Sequence, residues 1–254
     1  MMAAGMLTLG AVVGSFLNVC ASRLPKGKSL WMPGSACPAC QSPIRWHDNI
    51  PVLSFVLLRG HCRDCKVRIA WRYPAVELAT ALLFALAYVQ IGWRWELALA
   101  LVFLSALTVI TVIDLEHQLI PDRITLPAIA VGFAGSVAVG KNSWLEYALG
   151  VLLGGGIFFV IIELSRIVLG VPGMGGGDMK LGAMIGAFVG WKLLLPGLFL
   201  AVFFGGVVAV ALLAAGRKGR KDPLPFGPFL ALGGAVSLFW GEGIVQWYVK
   251  AFAG

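Results

Sequence analysis

Four of the five cysteines fall in two short pairs, "CPAC" at 37 to 40 and "CRDC" at 62 to 65, with twenty-one residues between them. Each Cys-x-x-Cys turn presents two sulfurs to the same side, and two such turns at this separation match a tetrahedral four-thiolate Zn2+ site. Cys37, Cys40, Cys62 and Cys65 are therefore the expected metal ligands. A closed four-sulfur shell leaves no position for a substrate, so the expected role of the metal is structural. Two disulfides are the competing reading, disfavoured where the segment faces a reducing cytoplasm. Cys20, alone in an apolar stretch, reads as a small buried residue.

The second candidate chemistry lies in the carboxylates. Asp114 begins "DLEHQLIPD", immediately after the apolar run "SALTVITVI", and Asp178 follows the glycines of "GMGGGDMK" at 173 to 180. A carboxylate where an apolar segment meets the membrane edge is costly and points to function. Brought together, two carboxyl groups cannot both ionise easily, so one keeps a proton while the other activates water for attack on a peptide carbonyl. The glycines of 175–177, Gly175 and Gly177 among them, would let an extended substrate strand approach the backbone. Lys180 and the arginines of the cysteine segment are matched either to an acidic substrate residue or to positive-inside anchoring. Alternatives stay open at this level. Asp178 is also a plausible helix N-cap, Asp114 a plain interfacial residue, and Asp122, Glu116 and His117 are nearby competitors.

The elements that must position these residues are membrane spans. Of the 254 residues, 59% are hydrophobic and 13% charged, with a mean hydropathy of +0.88, against about 25% charged in a soluble domain. This predicts an all-α polytopic membrane protein. Apolar windows at 3–22, 74–92, 95–113, 124–140, 145–169, 179–190, 192–215 and 227–250 predict about eight transmembrane helices, the sixth being short and glycine-punctuated. The expected domains are a first helix over 1–24, a small zinc-binding unit over 25–73, and a catalytic core of about seven helices over 74–254. No convincing internal repeat is evident.

With an extracytoplasmic N-terminus, the loops 23–73, 114–123, 170–178 and 216–226 fall on one side. They and the adjoining helix ends then carry sixteen of the twenty Lys and Arg residues, leaving only Arg94, Lys141, Lys192 and Lys250 opposite. That asymmetry assigns the zinc unit and both aspartates to the cytoplasmic face. It also accounts for the net charge of +8 without a nucleic-acid partner. The apolar N-terminal stretch lacks basic residues before it, so it reads as an uncleaved span and not a signal peptide.

Taken in order, these motifs resemble the bacterial type IV prepilin peptidases, bifunctional leader peptidases and N-methyltransferases of the membrane aspartic protease type. "GSFLNVCASRLP" at 14 to 25 looks like the first-span signature, and the paired cysteines look like the cytoplasmic zinc unit. "RYPAVE" at 72 to 77 resembles the entry to the second span. "IDLEHQLIPDRITLP" at 113 to 127 and "GMGGGDMKLGAMIG" at 173 to 186 look like the two aspartate motifs, and "LPFGPFLALGG" at 224 to 234 like the last-span motif. The resemblance implies that Asp114 and Asp178 are the catalytic pair and that Asp122 is not.

It also implies leader removal from type 4 prepilins or pseudopilins after a glycine, at the cytoplasmic side of the bacterial inner membrane. The new N-terminus would then be methylated from S-adenosyl-L-methionine. Having all four cysteines fits the bifunctional branch. No Rossmann-type glycine fingerprint is present to hold the methyl donor, so that activity follows from the resemblance alone. A transporter that binds protons or cations through the same aspartates is the alternative, but it leaves the cysteine unit unexplained.

Overall fold

The computed structural model describes residues 2–139, 142–170, 174–217, 219 and 223–252, together with the backbone but not the side chain of Leu169. Among them the regular structure is entirely helical: α1 (Met2–Arg23), α2 (Leu53–Leu57), α3 (Arg72–Ile91), α4 (Trp95–His117), α5 (Asp122–Val139), α6 (Trp144–Leu169), α7 (Gly176–Ala214) and α8 (Gly227–Phe252). Seven of these, all but α2, are long and apolar enough to cross a membrane. The chain forms two compact units, Met1–Leu97 and Ala98–Gly254.

In the first unit α1 and α3 run antiparallel with their backbones in near contact. A Cβ on Gly10 would stand 2.6 Å from Ala81 Cα, and one on Gly14 would stand 2.8 Å from Glu77 Cα. Where there is no hydrophobic drive between helices in lipid, such close approach is how they gain dispersion contact. Asn18 Nδ2 donates to the Tyr73 carbonyl at 3.1 Å, tying the ends of the hairpin. Between the two helices lie a 3-10 turn (Leu24–Lys26), the two cysteine turns, a second 3-10 turn (Trp46–Asn49) and α2. The Arg23 guanidinium gathers the start of this connection by donating to the carbonyls of Ser29, Leu30, Pro33 and Gly34 at 2.7–3.3 Å.

The second unit packs α4 to α8 around Phe103, Ile110, Leu181, Met184, Leu194 and Leu230, each buried. Phe103 and Phe188 stack at 4.6 Å between ring centroids. As one straight rod the 39 residues of α7 would measure about 58 Å, roughly twice the hydrocarbon thickness of a bilayer. They do not form one rod, because Gly190 takes φ 75° and ψ 168° inside the helix. A side chain there would be strained, and glycine is not.

The contacts on either side show that the chain reverses at this point. Before it, Gly182 meets Gly154 and Gly186 meets Gly150, antiparallel to α6. After it, Gly197 meets Gly233 and Gly205 meets Phe226, antiparallel to α8. Ile185, five residues before the break, and Gly197, seven after it, reach adjoining positions of α8, at Gly234 and Gly233. The two limbs of α7 are thus the expected separate segments at 179–190 and 192–215, joined by a one-residue turn. Counting them separately yields eight helical segments in place of seven continuous helices.

Candidate active site

Asp114 sits one turn before the end of α4. Its backbone carbonyl accepts from Gln118 N at 2.9 Å, and Gln118 then takes the left-handed conformation, φ 50°, that ends the helix. The residue is 5% exposed. Its Oδ2 accepts a hydrogen bond at 2.9 Å from the backbone N–H of Gly227, the first residue of α8. A carboxylate meeting an otherwise unpaired N–H at a helix start satisfies both groups.

Asp178 lies in the first turn of α7. The N-cap is Gly175, in an extended conformation (φ −82°, ψ 149°), which makes Asp178 the third helical residue and not the cap. Its N–H donates to the Gly175 carbonyl at 3.2 Å, and its carboxylate reaches back to the Gly175 backbone, the half of a capping box that the third helical residue supplies. Although 64 residues apart, Asp114 and Asp178 are brought close enough for their charges to act on each other. Three elements therefore converge on the pair: the C-terminal end of α4, the first turn of α7 and the first residue of α8.

The glycines around it have separate reasons. A Cβ on Gly227 would stand 2.7 Å from Asp114 Oδ2, so the N–H can reach the carboxylate only because no side chain is there. Gly177 lies against Ile120, where a Cβ would approach to 2.8 Å of that side chain. Gly176 faces open space, and a Cβ on Gly175 would meet nothing closer than 3.9 Å. Gly173, at the start of the glycine run, lies outside the described residues, as do Lys141, Lys218, Arg220 and Lys221 of the charge tally.

The competing residues all lie at the surface. Glu116 and His117 are exposed at the end of α4. Asp122, exposed at the start of α5, takes the Lys180 ammonium at 2.6 and 2.7 Å from its two oxygens. Lys180 is thereby committed to Asp122 in this structure and pins the first turn of α7 to the start of α5. Neither the Gly227 N–H nor the Lys180–Asp122 pair follows from sequence spacing, since the partners are 113 and 58 residues apart.

The four paired cysteines converge as well. The sulfurs of Cys37, Cys40, Cys62 and Cys65 all lie within 4.8 Å of one another, and none is in a disulfide. A tetrahedral ion with metal–sulfur bonds of about 2.3 Å places its sulfurs about 3.8 Å apart. The Cys37 and Cys65 sulfurs are 3.8 Å apart, so the cluster has the dimensions of a four-thiolate metal site. Its two halves are copies of each other, offset by 25 residues. Ala36 bridges Pro43 and His61 bridges Arg68. Gln41 N donates to Cys37 O and Lys66 N to Cys62 O, with φ 57° and 59° at the two donors. Ile44 N donates to Ser35 O and Ile69 N to Gly60 O. The repeat is not evident in the sequence, where only the cysteines and the isoleucine of 35–44 recur in 60–69. Nearby, two hydrogen bonds from Arg63 hold the Asp48 carboxyl below its ordinary pKa.

Comparison with known proteins covers both units. Residues 8–91 match the bacterial peptidase A24 N-terminal domain, and residues 101–210 match the type IV leader peptidase family. Proteins named prepilin leader peptidase/N-methyltransferase are similar over nearly the full chain. The one from Pseudomonas aeruginosa is 37% identical, covering 98% of this chain and 93% of its own. The one from Bacillus subtilis is 36% identical, covering 96% and 97%. A relative in Myxococcus xanthus is 40% identical over 85% of this chain and 65% of its own. No solved structure matches. With both matched segments in order, seven membrane-length helices and relatives aligned along almost all of its length, the chain belongs to the type IV leader peptidase family of membrane enzymes.

Proposed function

We propose that this enzyme is a prepilin leader peptidase and N-methyltransferase whose proteolytic centre is the Asp114–Asp178 pair. The observation that carries the reading is the convergence of two distant carboxyl groups at the end of α4 and the start of α7, with the Gly227 N–H fixing one oxygen of Asp114. In such a dyad one ionised carboxylate removes a proton from water, whose oxygen attacks the scissile carbonyl carbon. The other, protonated, carboxyl donates to the carbonyl oxygen. Collapse of the tetrahedral species breaks the C–N bond as the amine takes up a proton. The two ionisations belong to the pair and not to either residue.

Prepilins and pseudopilins are the proposed substrates, cut after a glycine at the cytoplasmic side of the bacterial inner membrane. An apolar substrate helix held in lipid beside α4 and α7 would be oriented before the chemistry begins, which is how remote contacts accelerate a reaction. Gly175, without a neighbour closer than 3.9 Å to its Cβ position, leaves the side of the dyad open to a substrate backbone, with Gly177 keeping the turn tight against Ile120. Lys180 would exchange its partner Asp122 for an acidic substrate side chain. The proposed methyl donor, S-adenosyl-L-methionine, carries an electrophilic sulfonium-bound methyl group suited to the freed N-terminal amine.

The proposed ion in the cysteine cluster is zinc, held by Cys37, Cys40, Cys62 and Cys65. The segment between α1 and α3 has little apolar core, so the ion would supply much of its stability. Protein purified without chelator is expected to contain about one zinc per chain, and Cys37→Ser to lose it, with metal analysis as the readout. Less than half an equivalent in the unaltered protein would count against the assignment.

The test of the whole reading is incubation of the purified enzyme with a prepilin and S-adenosyl-L-methionine, followed by mass spectrometry. Loss of the leader and a single methyl increment on the new N-terminus are expected. An intact substrate, with folded enzyme and a prepilin that a relative cleaves, would remove the peptidase assignment.

A further inference from the structure

Beside the cysteine cluster, within the first unit, lies a groove of about 770 Å3 whose walls differ in kind. One wall is the start of α3, with Pro74 and Leu78 facing it, and the other is the segment carrying Phe55, Arg59, Arg68 and Trp71. Phe55 and Trp71 pack together with ring centroids 4.8 Å apart, forming an aromatic floor. We infer that this groove binds an anionic phospholipid, its phosphate between Arg59 and Arg68 and an acyl chain along Leu78.

Depth supports this occupant. α3 enters the membrane at Arg72, and Leu78 lies six residues further on, about 9 Å deeper at the helical rise. The groove therefore runs from the level where phosphates sit to the level where acyl chains begin. Trp71, 76% exposed, stands at the boundary that tryptophan favours.

Charge supports it too. No acidic residue lines the groove, and among the described residues neither arginine has an acidic partner. Of the acidic residues around them, Asp48 and Glu77 are engaged elsewhere, and Asp64, in the second cysteine turn, forms no ion pair with either arginine among the described residues. Asp48 is held by Arg63, and Glu77 turns inward to accept from Val52 N at 2.7 Å. A peptide is the weaker occupant: along Leu78, 50% exposed on a membrane-spanning helix, its backbone would face lipid with unpaired polar groups. A phospholipid places hydrocarbon there instead.

The full-length enzyme in neutral detergent is to be titrated with phosphatidylglycerol and, separately, with phosphatidylcholine, bound lipid being counted by native mass spectrometry. Two arginines near one anionic headgroup predict a preference for phosphatidylglycerol of about thirtyfold, falling to within about twofold in Arg59→Gln/Arg68→Gln. Equal binding of the two lipids, or an unchanged preference in the variant, overturns the inference. Photoactivatable phosphatidylglycerol on the unaltered enzyme gives a reading that no variant's folding can disturb. Label in residues 55–59, 68–71 and 74–78 supports the site, while label confined to other segments, or label abolished by saturating prepilin, overturns it.

Discussion

Asp114→Asn and Asp178→Asn are each expected to lower leader cleavage by roughly 10^3-fold or more, the range set by loss of a positioned acid or base. The double variant should be little worse than either single one, because members of a unit that share one proton are not additive. The thermal transition should stay close to that of the unaltered enzyme, since asparagine nearly matches aspartate in shape, and metal content should be unchanged, since neither carboxyl belongs to the cysteine cluster. The measurement is single-turnover cleavage of a prepilin. Cleavage within tenfold of normal in either variant would sink the dyad. An asparagine keeps an amide oxygen in place, so at Asp114 it can still accept from Gly227 N while losing the charge. That separates the chemical role from the structural one.

The second large effect is expected where no reactive group is changed. In Gly227→Ala the new methyl would stand 2.7 Å from Asp114 Oδ2, closer than real contacts come, and 3.1 Å from its Cγ, which is tight. Either the start of α8 or the carboxyl must move, and the hydrogen bond from Gly227 N is stretched in both cases. A displacement of about 1 Å in a catalytic group is worth about 10^2-fold in rate, which is the loss predicted for kcat, with KM changed far less. Gly176→Ala is the matched control, because a methyl group there enters open space. If the two alanine variants cleave equally well, the Gly227 contact does not position Asp114.

What was legible from sequence, and what was not, follows from how each feature is encoded. The cysteine turns are local and rigid in spacing, so their convergence could be expected from four letters. The aspartates were legible as a pair because each sits at the edge of an apolar window, and topology alone puts both edges on one level. Gly227 was visible within its motif but without a role, since nothing local says that its N–H meets a carboxylate 113 residues away. Lys180 was expected to face substrate, and its partner Asp122 could not be foreseen, a contact made only when the starts of α5 and α7 are packed side by side. The glycines of 175–177, which look alike on paper, divide by environment: Gly177 is forced by Ile120, whereas Gly176 is not forced by contact. Gly190 could be suspected from the short sixth window, but its positive φ is what turns one long helix into two.

The turn at Gly190 has a consequence for the lipid around the enzyme. The limb from 176 to 189 has fourteen residues and spans about 21 Å, against a hydrocarbon core of about 30 Å. With its far end fixed by the turn, the end carrying Asp178 falls about 9 Å short of the opposite hydrocarbon boundary. The Asp114–Asp178 pair then sits in a local depression, where the bilayer must thin or water must enter. A hydrolase needs both water and a lipid-anchored substrate at one point, and a span too short for its membrane brings them together. Cleavage rate should accordingly depend on acyl-chain length, slowing as the bilayer thickens and the depression becomes harder to maintain.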